Sequence, residues 1–124
     1  MSRPHEAYAQ AARHSNDPRE VEATVLMKAA ARFNQVKSAW TADKAPADLD
    51  PALLYNRTIW TIFATSVTEG ESQLPKEIRQ NIANLAIFVF KRTIEVQSTP
   101  APEMLDVLIN INRQIAAGLM QKPV

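Results

Sequence analysis

The chain has no cysteine, so it can build no disulfide framework and offers no thiolate for catalysis or metal binding. It has only two glycines, Gly70 and Gly118, which excludes phosphate-cradling loops of the GxGxxG or Walker type. An excess of one charge is missing too: Lys and Arg number 14, Asp and Glu 13. Gross charge therefore gives no argument for nucleic acid or an acidic membrane as the partner. The opening MSRPHEAYAQ lacks the apolar core of a signal peptide, which argues against Sec export. Together with the absent cysteine, this fits a cytoplasmic protein. No apolar run reaches the ~20 residues that a membrane span needs. The longest, residues 82–90, is interrupted by Asn84 and ended by Lys91 and Arg92. Membrane insertion is not expected.

What remains is helical. No stretch alternates with period two between hairpin turns, and the prolines sit mostly where helices would start or stop. The 124 residues suit one domain, long enough to bury a core without metal or disulfide staples. The expected fold is all-α: a small bundle of four main helices, at about 18–40, 51–69, 75–97 and 102–117, with a short N-terminal helical arm over 1–14.

The arm is alanine-rich and only about three turns long, which is marginal for an isolated helix. It either docks or frays; it reads as mobile, with Tyr8 and Ala12 as the docking face in the docked case. His14-Ser15-Asn16 breaks the chain. Asp17-Pro18 with Glu20 is a cap-and-proline helix start. The stripe Val21, Val25, Ala29, Phe33, Val36 and Trp40 follows, opposite an outer face of Glu22, Lys28, Arg32 and Gln35. Asp50-Pro51 repeats the start signal after a polar loop. The next helix combines apolar stripes (Leu53, Trp60, Phe63, Val67; Tyr55, Ile59, Ile62) with a row of Thr58, Thr61, Thr65 and Thr68. That row is either solvated or a close-packing face with its hydroxyls bonded back to the backbone.

EGESQ turns the chain into LPKEIRQNIANLAIFVFKRTIEVQS, residues 74–98. Between Ile82 and Phe90 this helix is apolar almost all round, so it reads as the buried centre of the bundle. Ala83 and Ala86 give it a smooth face for another helix. The last helix opens at Pro102 and carries Met104, Leu108, Ile111, Ile115 and Leu119, with Gly118 placed as its C-terminal cap and Lys122-Pro123 ending the chain.

Catalytic constellations are missing. His5 and His14 lie in the arm without Cys or HExxH spacing, so no metal site is expected. The acidic pairs sit at helix starts or turns, where they favour the helix dipole. Ser66 and Ser72 have no nucleophile elbow, so no enzyme is expected. Lys28, Arg32 and Lys37 are interleaved with acidic residues and read as a solvated face rather than a nucleic-acid footprint. The informative residues are amides. Asn81 and Asn84 share a face with Phe88; Asn112 joins the stripe Leu105, Ile109 and Ala116; Asn110 lies with Asp106 and Arg113. A buried amide without partners costs about 1–3 kcal/mol. Asn81, Asn84, Phe88, Asn110, Asn112 and Arg113 are therefore either an internal network fixing the bundle's register, or a polar strip beside an apolar groove that receives a partner helix.

Four spaced motifs carry a resemblance. They are Pro18-Arg19-Glu20-Val21-Glu22 with Lys28-Ala29-Ala30-Ala31-Arg32; Tyr55-Asn56-Arg57 with Trp60-Thr61-Ile62-Phe63; residues 74–85; and residues 108–119. In this order and separation they resemble the alphaproteobacterial flagellar biosynthesis regulator family FlaF, over nearly the whole chain. The resemblance implies a small cytoplasmic helical protein with no cofactor and no enzymatic activity. Its partner would be flagellin, bound as an export chaperone, in company with the translational regulator FlbT. The six residues above are then candidates for flagellin contact or for the network. If the arm covers the groove, flagellin has to displace it. Two alternatives stay open: an RNA-associated regulator of flagellin mRNA, and an adaptor that binds FlbT without touching flagellin.

Overall fold

A computed structural model describes residues 3–14, 17–69 and 74–121. The expected break at 15–16, the turn at 70–73 and the end at Lys122-Pro123 lie outside these. Among the described residues the fold is all-α, with no strands. The helices are α1 (Pro4–His14), α2 (Pro18–Ala39), α3 (Leu49–Thr68), α4 (Lys76–Ser98) and α5 (Leu105–Met120), the last entered through a 3-10 turn at Pro102–Met104.

Helix ends follow local chemistry, with two corrections. The Asp17 side chain accepts from Arg19 N at 2.9 Å and Pro18 follows it, as the cap signal predicts. In α3, however, the cap position is Asp48, and Asp50-Pro51 lies inside the first turn. A proline is tolerated there because first-turn N–H groups have no intrahelical acceptor. The buried Leu49 anchors this extra half-turn. At the other end, Gly118 is not a cap. It has no positive φ, and α5 runs on to Met120, where Gln121 N donates to the Gly118 carbonyl at 3.3 Å.

Packing closes a ring. α2 lies most extensively on α5 and also on α3, α3 lies on α4, and α4 touches α5. Lys37 of α2 pairs with Asp106 at the start of α5, whereas Ala23 toward the other end of α2 lines the same hollow as Met120, so these two helices run antiparallel. The largest fully buried side chains, Trp60, Phe33 and Phe63, fill the middle from α2 and α3.

The arm takes the docked alternative. α1 packs on α2 and α3 through Ala7 and Ala11, while Ala12 is exposed, so the docking face lies one helical position away from the expected one. Tyr8 is half-buried, and its hydroxyl donates to Glu22 Oε2 at 2.8 Å. Glu22 accordingly does not belong to the outer face of α2.

The larger correction concerns α4. It is not the centre of the bundle. Ile82, Ala86, Val89, Thr93 and Val96 are buried, but Ile87 and Ile94 stand 60 % and 62 % exposed on the other side. α4 packs on α3 and touches α5, so among the described residues one face is covered and its apolar surround is not enclosed. The threonine row of α3 faces outward for most of its length. Thr58, Thr61, Thr65 and Thr68 each donate to the carbonyl four residues back, at 2.7–2.9 Å. Their hydroxyls are satisfied within the helix itself.

Candidate partner-binding groove

The six sequence-nominated residues separate. Asn112 is fully buried. Asn81, Asn84, Asn110 and Arg113 are exposed, and Phe88 is half-buried with the Arg92 guanidinium 5.6 Å over its ring. Asn84 Oδ1 accepts only from its neighbour Gln80, at 3.3 Å. The α4 amides therefore take no part in an internal network, because they point away from the bundle.

The network exists, but between α3 and α5. Trp60 Nε1–H donates to Asn112 Oδ1 at 2.8 Å, and Asn112 Nδ2 donates to Asn56 Oδ1 at 2.8 Å. All three side chains have no exposed surface. Asn56 Nδ2 has no hydrogen-bond partner in this arrangement. The chain of bonds spans the bundle interior and pins α5 against α3 at one rotation, the register role attributed to buried polar groups. A sequence signal for the two missed partners was present: Asn56 and Trp60 are four residues apart, on the same face as Leu53 and Phe63.

The apolar groove lies elsewhere, on the outer seam of α2 and α5. Its volume is about 660 Å³, and its floor is built of small residues, among them Ala23, Ala31, Ala116 and Ala117. Alanines facing each other across the seam leave a channel where larger residues would have filled it. Met27 and Met120 form the walls and stand 45 % and 53 % exposed. Methionine is unbranched and adapts to differently shaped apolar partners. Of the smooth α4 face read from Ala83 and Ala86, Ala86 is buried within the bundle; the open smooth surface lies on α2 and α5.

A second hollow of about 440 Å³ continues the first toward α1 and shares Thr24 and Lys28 with it. Lys28 Nζ donates to Gln10 Oε1 at 3.1 Å, so α1 forms one margin of the trough and does not cover its floor. The charged side chains lining the two hollows are Arg13, Lys28 and Arg113; among the described residues, no carboxylate lines either. In a chain with nearly balanced charge, this is a local concentration of one sign.

A third cavity, about 420 Å³, sits at the end of the bundle between Arg19, Glu22, Phe63 and Leu119. Burial pushes the Glu22 carboxyl up from 4.5 to about 7, against the lowering effect of the Tyr8 hydrogen bond. The same burial, with the Glu22 charge beside it, holds the Tyr8 hydroxyl far above its ordinary range. An acid of this kind can support chemistry, but here its hydrogen bond is used to dock α1.

No helix among the described residues is long and apolar enough to cross a membrane. No cluster of three or more His, Cys, Asp or Glu able to hold a metal ion occurs among them. Fold and surface together define a small helical bundle with an open apolar trough between α2 and α5. The sequence model of the family described as flagellar protein FlaF matches residues 4–119, and the chain belongs to that family. No curated protein and no solved structure matches it.

Proposed function

We propose that this protein is a flagellin-binding export chaperone and regulator of flagellin synthesis and flagellum assembly, acting in the cytoplasm by binding rather than catalysis and without a cofactor. The observation that carries this reading is the open trough between α2 and α5, floored by alanine and walled by exposed methionine, in a chain of a flagellar family. Flagellin must stay unpolymerised until it is secreted, and its terminal segments are amphipathic. A channel of this shape can take the apolar stripe of such a segment as a helix, with anchors at helical spacing.

Two basic residues of α2, Arg32 and Lys37, are engaged within the protein, which favours this reading over direct binding to flagellin mRNA. The Arg32 guanidinium lies 4.9 Å over the Tyr55 ring, and Lys37 pairs with Asp106. The test is co-purification with flagellin in the absence of FlbT. A stable complex at micromolar concentration supports the chaperone. A complex that needs FlbT supports an adaptor instead, and steeply salt-dependent binding to flagellin mRNA supports the RNA-associated regulator.

A further inference from the structure

The trough has a charge sign as well as a shape. Its apolar floor runs along α2 from Ala23 to Ala31, which is about 12 Å at 1.5 Å per residue, or about two turns of a docked helix. On the α5 side it is edged by Arg113. On the α1 side it is edged by Lys28 and Arg13. A helix laid on the floor would place its apolar stripe against the alanines and methionines, and its flanking positions against cations on both sides.

We infer that the trough selects an acidic amphipathic helix: a short segment with an apolar stripe at i, i+3/i+4 and i+7, flanked on both edges by Asp or Glu. This deepens the chaperone reading and rests on the trough being its binding site. Like-charge positions in the partner would be set against Lys28 and Arg113 and rejected, so the rim discriminates among helices that the apolar floor alone would accept. The floor has no aromatic side chain on which a base could stack, which favours a helix over single-stranded nucleic acid as the occupant.

The probes are two synthetic amphipathic peptides with the same apolar stripe, one flanked by Glu and one by Lys, titrated against the full chain. The Glu-flanked peptide binds at least tenfold more tightly at low ionic strength, and the gap narrows as salt screens the rim. The double variant Lys28→Glu/Arg113→Glu, altered at two exposed positions, reverses the order of the two peptides while its helical spectrum stays unchanged. Equal affinities, binding of neither peptide, or an RNA oligonucleotide displacing the Glu-flanked peptide would each overturn the inference. So would self-association of the chain that the peptide disrupts and Met27→Glu abolishes, since the occupant would then be a second copy. Failure of flagellin to co-purify while the peptides keep their order overturns the chaperone reading alone. Equal peptide affinities with flagellin still bound overturn the charge selection alone.

Discussion

Replacing Asn112 by leucine probes the buried polar connection between α3 and α5. Leucine has the same branching and number of side-chain heavy atoms as asparagine and is bulkier, so the substitution opens no cavity, but it removes both the acceptor for Trp60 Nε1 and the donor for Asn56 Oδ1. Each orphaned buried group costs about 1–3 kcal/mol. Two of them, offset in part by the added apolar burial, give a loss of roughly 2–5 kcal/mol, a large fraction of the ~5–15 kcal/mol stability of a domain. Asn56→Leu in the same background removes the amide that the first change left unpaired. The double variant should therefore lose less than the sum of the two single losses, by about 1–2 kcal/mol of coupling. Urea unfolding followed by circular dichroism reads all three differences. Tryptophan fluorescence adds a local signal, because Trp60 is fully buried. A loss below about 1 kcal/mol for Asn112→Leu, or simple additivity with Asn56→Leu, would refute the register role.

Other outcomes follow from particular side chains. Burial holds the Glu22 carboxyl at about 7 when folded against 4.5 unfolded, so the stability it contributes is fully present below pH ~4.5 and is lost as pH rises through about 7, with the Tyr8 hydrogen bond opposing part of that loss. Hydrogen exchange in α1 should quicken relative to α2 across that window, and Glu22→Gln should remove the dependence. At Gly118 an added Cβ would meet nothing within 4 Å, and the position lies inside a helix. Gly118→Ala should therefore stabilise by about 0.5–1 kcal/mol in thermal unfolding. Asn81→Leu and Asn84→Leu alter exposed positions of α4. Each should leave stability within about 0.5 kcal/mol of the parent and leave flagellin binding unchanged.

The helices were legible because caps, prolines and apolar spacing act within a few residues. Asp17-Pro18 and the α2 stripe needed nothing from the rest of the chain. What could not be read is how many neighbours each helix finds. Residues 82–90 are as apolar as a central helix, yet Ile87 and Ile94 stay exposed because α1 docks on α2 and α3 instead of on α4. For the same reason the amides were misassigned. Asn84 looked buried by its neighbours in sequence, whereas Asn56 reaches the core because α5 delivers Asn112 to it. The trough was invisible for a different reason. It is formed by alanines on two helices far apart in sequence, and an alanine that lines an open seam looks the same in the sequence as one that packs in the core.

Flagellin retention by the full chain, without FlbT, compared with the exposed trough variants Met27→Glu and Ala117→Glu, tests the central claim most directly. The parent chain should hold flagellin at micromolar concentration. The two variants should keep their helical spectrum and their thermal midpoint, and lose flagellin. Flagellin held equally by parent and variants, or by neither, would contradict the assignment of the α2–α5 trough as the chaperone's binding site.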